Sequence, residues 1–387
     1  MMSHVMETYG RLPVSFVSGS GATLRDEEGK AYFDALCGLA VCGLGHAHPR
    51  VAKAVADQAG TLIHTSNLYG VPLQEKLADR LCDLSGMERV FFANSGAEAN
   101  EAAIKIARLH GHNRDINKPT AIVVDGSFHG RTMATLTATG NRKVRAGFDP
   151  LLSGFVRAPF DNLEAIANIA ANNPNVVAMM VEPVLGEGGI IIPEATYLEG
   201  LRKICDDNEW LLMLDEVQTG NGRTGKFFAY QHTSVTPDVV TTAKGLGNGL
   251  PIGACLARGV AASTLKPGNH ASTFGGNPLV CAAAHAVLDA LTEDGLIERA
   301  AELGERIVGG LREVLQGNNQ ITEVRGKGLM IAVETAEPCS QLVGKALDQG
   351  LLVNVTRDNI LRLLPPLILS DDEADELVHR VSTLLST

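Results

Sequence analysis

Two short apolar runs, each stopping at a charge, constrain this sequence more than any other feature. Leu211-Leu-Met-Leu ends at Asp215, and Val239-Val-Thr-Thr-Ala ends at Lys244. Runs this short, apolar or β-branched throughout and without polar alternation, read as strands covered on both faces. Similar runs occupy 90–93, 121–124 and 177–181, with helical stretches between them. Alternation of this kind predicts a mainly parallel sheet with helices on both sides. Such sheets hold ligands at the carboxyl ends of their strands, where this sequence places Ser95, Asp125, Glu182, Asp215 and Lys244.

The two charges suggest a chemistry. A lysine at the inner end of a buried run is desolvated or paired, and desolvation lowers its pKa toward nucleophilic, Schiff-base behaviour. The following Gly245-Leu-Gly-Asn-Gly-Leu-Pro-Ile-Gly-Ala254 has little side chain to obstruct a flat ligand. Asp215 either caps the next helix or, as a buried acid, meets a cationic partner.

Composition narrows the classes. The length of 387 residues fits about two to three domains. A net charge of -11 without a Lys/Arg cluster argues against nucleic acid or an anionic membrane surface as partner. The first ten residues have neither a basic start nor an apolar core, and no segment approaches the ~18 apolar residues of a span, so cytoplasmic residence is expected. Seven cysteines without a CxxC pair read as reduced thiols. Cys37, Cys42, His46 and His48 offer four zinc-type ligands, but their spacing fits no familiar site and Gly43 and Gly45 mark a turn, so no metal is expected.

Along the chain, residues 13–41 alternate β-like runs with turns, as in a small antiparallel meander. Helical spacing marks 49–59 and 72–84. After Pro278 the pattern changes to a long helical stretch through Leu315, a strand near 328–333, another helix, two strands and a final helix. These predict a separate α+β domain. Ser370-Asp-Asp-Glu373 is a capping box. Ser95 and Glu98 form a second one, although Gly96 and Ala97 between them also allow a phosphate at the helix N-terminus.

At these residues the chain resembles the class III (ornithine-type) pyridoxal-phosphate aminotransferases. The likeness rests on Asp215-Glu-Val-Gln-Thr-Gly220, Gly222-Arg-Thr-Gly225, Pro237-Asp238 and the Lys244 loop, with Gly45-His-Ala-His-Pro49 resembling the loop before the first large-domain helix. The resemblance implies an α/β, aspartate-aminotransferase-like fold (type I), with a seven-stranded-type sheet in a large domain at 49–278. Residues 279–387 would form a small domain, joined by the N-terminal segment 1–48.

It further implies that Lys244 carries pyridoxal 5'-phosphate and acts as the catalytic base, with Asp215 facing the ring nitrogen. Ser95, Gly96 and Ala97 would hold the phosphate, Phe128 and Val217 would sandwich the ring, and Gln218 would bond its 3-hydroxyl. Thr273 would reach the partner's phosphate across a homodimer with shared active sites, and Ser272 the substrate. Arg131 would bind a substrate carboxylate. Glu187 would pair with Arg362 whenever no α-carboxylate occupies it. The implied substrates are an acylated ω-amino acid and 2-oxoglutarate or glutamate. The family usually has Gln where this chain has Leu185. The segment 64–69 is either a connector or a substrate contact in the partner subunit.

Two other classes fit less well. A nicotinamide oxidoreductase needs GxGxxG straight after a strand, and the one candidate follows Lys244 and contains Pro251. A noncatalytic binding protein has no use for Lys244, Asp215 and Arg131 together.

Overall fold

The computed structural model describes residues 4–386, so Met1, Met2 and Ser3 of the N-terminal segment and Thr387 lie outside it. The N-terminal meander is β1 (Phe16–Ser20), β2 (Thr23–Asp26) and β3 (Ala31–Asp34). The central strands are β4 (Arg89–Ala93), β5 (Thr120–Val124), β6 (Phe155–Ala158), β7 (Val176–Val181), β8 (Leu211–Asp215), β9 (Val239–Thr242) and β10 (Gly253–Ala257). They form one seven-stranded sheet in the order β4-β10-β9-β8-β7-β5-β6. Every pairing in it is parallel except those of β10, which runs antiparallel to both β4 and β9. The expected strands are present, while β6 and β10 had no counterpart in the sequence reading.

The uninterrupted apolar runs have a direct structural cause. Along β8, Leu211 and Met213 enter the core on one face, beside Ala103, Ile106 and Ala107 of the helix Gly96–His112. Leu212 and Leu214 enter the larger core on the other face. With both faces covered, every position of the strand before Asp215 is apolar.

The C-terminal part begins with a correction. The helical stretch from Pro278 is two helices, Pro278–Glu293 and Leu296–Val314, broken at Asp294 and at Gly295, whose φ of 66° is left-handed. The first carries Pro278 inside its first turn and is capped by Asn277, whose side chain accepts from Val280 N at 3.1 Å. It packs against the helices Pro49–Ala59 and Pro72–Ser85. The strand expected near 328–333 is one arm of an antiparallel hairpin, β11 (Ile321–Lys327) and β12 (Met330–Thr335). Beyond the helix Leu342–Asp348 come β13 (Leu351–Leu352), β14 (Asn354–Thr356) and β15 (Ile360–Leu363). The second sheet has the order β11-β12-β15-β14. β13 instead pairs in parallel with β3, tying the N-terminal strands to the C-terminal part. The closing helix Asp371–Leu385 carries the full capping box, with Ser370 Oγ accepting from Glu373 N and Glu373 accepting from Ser370 N. Among the described residues no helix is long and apolar enough to cross a membrane.

Candidate active site

One rim of the seven-stranded sheet surrounds a cavity of about 440 Å³. Five strand ends contribute: Asn94, Ser95, Gly96 and Ala97 after β4, Phe128 to Arg131 after β5, Glu182 and Glu187 after β7, Asp215, Val217 and Gln218 at β8, and Lys244 after β9. Because β10 is reversed, its leading residues Gly249, Leu250, Pro251 and Ile252 reach the same rim.

Lys244 opens a short 3-10 turn with φ of 43°, a left-handed conformation that surrounding contacts must hold. Asn221 does part of this, its Nδ2 donating to Thr242 Oγ1 at 2.9 Å and to Ala243 O at 3.1 Å. On the far side of the turn, Asn248 accepts from Leu44 N and donates to Gly45 O. Burial lowers the pKa of Lys244, and Arg362 adds to this against the opposing charges of Glu187, Asp215 and Glu182.

Asp215 is almost fully buried and its oxygens are filled from three directions. Asn100 Nδ2 donates to Oδ2 at 2.7 Å, His129 Nδ1 donates to the same oxygen at 2.8 Å, and Val217 N donates to Oδ1 at 3.0 Å. Asn100 is itself oriented by Thr241, whose hydroxyl donates to Asn100 Oδ1 at 2.6 Å. Next to it Glu182 accepts from Phe128 N at 2.8 Å and Gly186 N at 2.9 Å, and burial, followed by the charge of Asp215, pushes its pKa up to about 7.

Ser95 caps the helix Gly96–His112 through its Oγ, which accepts from Glu98 N at 3.2 Å. The reciprocal half of the expected box is displaced by one residue, since Glu98 accepts from Asn94 N, not from Ser95 N. The first amides of a helix lack intrahelical partners, so those of Gly96 and Ala97 present donors at the positive end of its dipole. Gly96 has a steric reason as well: a Cβ there would lie 2.7 Å from Val217 Cγ1.

Phe128 and Val217 both line the cavity, and the Arg131 guanidinium lies 5.6 Å from the Phe128 ring centroid. Leu185 is fully buried, with its Cδ1 packed toward Gly126 and Gly188.

Arg362, on β15, has no exposed surface. Its Nη1 donates to Glu187 Oε1 at 2.7 Å, and its Nε to Asn354 Oδ1 at 3.1 Å. Gln218 Oε1 is 3.5 Å from Nη1, while Nη2 is buried without a partner among the described residues. Burial raises the pKa of Glu187, but the charge and hydrogen bond of Arg362 outweigh this and hold it below the usual value.

Of the residues singled out from the sequence as site residues, Ser272, Thr273 and Arg362 do not line this cavity, Arg362 meeting it through its bond to Glu187, and the strand-end residue Asp125 is outside the lining as well. Ser272 Oγ accepts from Asn94 Nδ2 at 3.2 Å and from Gly275 N at 3.0 Å. Thr273 is exposed. The segment 64–69 meets its neighbours, with Asn67 Nδ2 donating to Ser272 O and Gly275 O and His64 against the Phe274 ring, and Phe274, Ile63, Leu68 and Tyr69 are each more than half exposed. His46 is engaged elsewhere, its Nε2 donating to Asp34 Oδ2 at 2.7 Å; hydrogen bonding to Asp34, then to Cys42, raises its pKa to about 9. No group of three or more His, Cys, Asp or Glu able to hold a metal occurs among the described residues.

Asn100 was not singled out from the sequence, and Glu182 was placed only as a strand-end residue where such sheets hold ligands. A buried asparagine among Ala99, Ala102 and Ala103 on an apolar helix face was the available signal for the first.

The donor set fits pyridoxal phosphate. It offers amides at a helix start for an ester phosphate, an aromatic and a branched aliphatic side chain for a ring, and a buried carboxylate with no arginine or lysine bonded to it among the described residues for a ring cation. The family described as Aminotransferase class-III matches residues 5–385. An acetylornithine aminotransferase of Nitrosomonas europaea is 59% identical over 385 residues, covering 100% of this chain and 98% of that protein. An ornithine aminotransferase structure from Toxoplasma gondii, with partial occupancy of PLP at its active site, superposes with a TM-score of 0.94 at 35% identity, over 98% of this chain and 92% of that one. An acetylornithine aminotransferase structure from Elizabethkingia anophelis gives 0.89 at 33% identity, over 99% and 97%.

Proposed function

The chain belongs to the class-III aminotransferases, a pyridoxal-phosphate-dependent family, and from that premise we propose that it transfers the δ-amino group of N2-acetyl-L-ornithine to 2-oxoglutarate. The products are N-acetyl-L-glutamate 5-semialdehyde and L-glutamate, a step of arginine biosynthesis. Bound pyridoxal phosphate supplies an electron sink for charge developing on the substrate carbon. Lys244, Asp215, Phe128, Val217, Gln218 and the amides of Ser95, Gly96 and Ala97 would hold it.

The remaining steps fall to side chains. Lys244, with its pKa lowered by burial, moves a proton from and to the substrate carbon as general base and acid. Asp215, its geometry fixed by Asn100 and His129, would face the ring nitrogen of the bound cofactor. Arg131 takes the carboxylate remote from the reacting amine.

The observation that carries the substrate reading is the Glu187–Arg362 pair beside an unpartnered Arg362 Nη2. An ω-amine enters with Glu187 covering Arg362. Glutamate reacts at its α-amine, so its α-carboxylate displaces Glu187 and takes the same guanidinium. One cavity thereby accepts both substrates. The name of the 59% identical relative selects the acetylated amine among ω-amines.

The working unit is a homodimer in this reading. Thr273 is too exposed to serve its own cavity, and the apolar surface of Ile63, Leu68, Tyr69 and Phe274 beside it suits burial against a second copy, from which Thr273 of the partner subunit would reach the phosphate. The test is kcat/KM for N-acetylornithine, ornithine, N-succinylornithine and 4-aminobutyrate, each with 2-oxoglutarate. N-acetylornithine is expected to lead free ornithine and 4-aminobutyrate by at least about tenfold, on the scale of an unpaired buried polar group; a lead for either of those two overturns the choice.

A further inference from the structure

Arg325 lies on β11, outside the cavity lining, yet its side chain is aimed at the loop that carries Glu187. Its Nε donates to Ile190 O at 2.9 Å and its Nη2 to Gly189 O at 2.8 Å. Its Nη1 pairs with Glu323 and Glu334 at 2.6 Å each. The strand register places this guanidinium in relation to Arg362. Arg325 sits opposite Ala332 on β12, and Ala332 sits opposite Arg362 on β15. The two arginines therefore share one rung and one face of the sheet, two strand spacings or about 10 Å apart. Ala332 between them is too short to obstruct either. Arg362 grips the side chain of the loop, and Arg325 grips its backbone.

The loop itself is compact. Leu185 and Ile191 exchange backbone hydrogen bonds at its base, Gly189 N donates to Gly186 O, and Gly186 N donates to Glu182. Ile190 has a φ of 52°, a left-handed conformation that a β-branched residue abandons unless its surroundings impose it. Here its carbonyl is held by Arg325 and its side chain is fully buried with Val184, Ala332 and Ile360.

We propose that Arg325 is a positioning residue for substrate choice: it fixes the backbone of residues 186–190 at the level of Arg362, so that Glu187 can leave and return while the loop stays in place. This rests on the reading of Glu187 as the removable cover of Arg362. Without the anchor, Glu187 returns to a shifted loop and covers Arg362 poorly, which harms the ω-amine half-reaction and spares the glutamate one.

Arg325→Lys keeps a positive charge for Glu323 and Glu334, but an ammonium cannot reproduce the planar fork on two carbonyls. Single-turnover measurements of each half-reaction are expected to show about a tenfold loss of kcat/KM with N-acetylornithine and less than about a threefold loss with glutamate, in the range of mutations that modulate coupling. In protein stripped of cofactor, amide exchange across 186–191 should accelerate while that of β12 does not. Glu323→Gln/Glu334→Gln, which keeps both carbonyl bonds, should leave the ratio of the half-reactions unchanged. If Arg325→Lys does not fold, Arg325→Met/Glu323→Gln/Glu334→Gln removes the three charges together and carries the same expectation as Arg325→Lys. Equal losses in both half-reactions, or unaltered exchange across 186–191, would overturn the proposal. Glu187→Gln measured in parallel separates the two ideas. If it does not move the ratio, the removable cover itself fails; if it does and Arg325→Lys does not, only the role of Arg325 fails. In the Glu187→Gln background, Arg325→Lys should add no further change in ratio.

Discussion

Asp215 and Glu187 are carboxylates on the wall of one cavity, held in opposite ways. Asp215 is 3% exposed and accepts hydrogen bonds from a helix side chain, a loop imidazole and its own following backbone. The side chain of Glu187 is 33% exposed, stands between Gly186 and Gly188, and has one cationic partner. A charge required throughout a reaction cycle is immobilised by a network. A charge that must come and go is held by a partner that a ligand can take over. Their difference lies less in burial alone than in how many elements would have to move together before each could turn away.

The most severe way to break this contrast is Asp215→Asn. Both half-reactions should slow together by about a hundred- to a thousandfold, the scale for removing one preorganised electrostatic group. Single-turnover absorbance with glutamate and with N-acetylornithine checks it, and a loss confined to one substrate would mean that Asp215 is no more constant than Glu187. Glu187→Gln sharpens the contrast from the other side. The ω-amine half-reaction is expected to fall about tenfold, the net value of a charged hydrogen bond, with the glutamate half-reaction nearly unchanged. A uniform decrease would remove the distinction.

A smaller effect concerns the immobilised side alone. The pKa of Glu182 is raised from 4.5 to about 7 by burial and then by Asp215, so between those pH values the folded chain retains a proton that the unfolded chain has lost. Stability from this group is therefore lost as pH rises through that window. Relative to the native chain, Glu182→Gln without cofactor should gain stability from pH 4.5 to 7, read from denaturant midpoints at each pH. A difference that stays flat with pH would place Glu182 in a less buried setting than its bonds indicate.

The two poles of the comparison were unequally legible. Lys244 and Asp215 stand out in the sequence because apolar runs stop at them, and β8 and β9 form where the runs predict. β10 escaped because Gly-Ala-Cys-Leu-Ala continues a glycine loop with small residues, and its place in the sheet depends in part on β4, a partner far along the chain. β6 escaped as a half-buried edge strand of only four residues. The support around Asp215 comes from Asn100, 115 positions away, and the support behind Glu187 from Arg325, 135 positions from Ile190. Local periodicity carries no information about such pairs, because the sheet order that brings them together is a property of the whole chain. Leu185 illustrates the converse: its departure from the family's usual Gln is seen at once in the sequence, whereas its place in a closed apolar contact is visible only in the fold.

The loop of residues 186–190, closed by Leu185 and Ile191 and backed by Arg325, also sets a clock. The proposed exchange of partners at Arg362 would then need only rotation about side-chain bonds of Glu187, on the picosecond-to-nanosecond scale of such flips, while a hinged lid would take microseconds to milliseconds. On the proposed reading, the cover on Arg362 would be reset in far less time than one substrate takes to leave and the other to enter, with the loop backbone in place throughout.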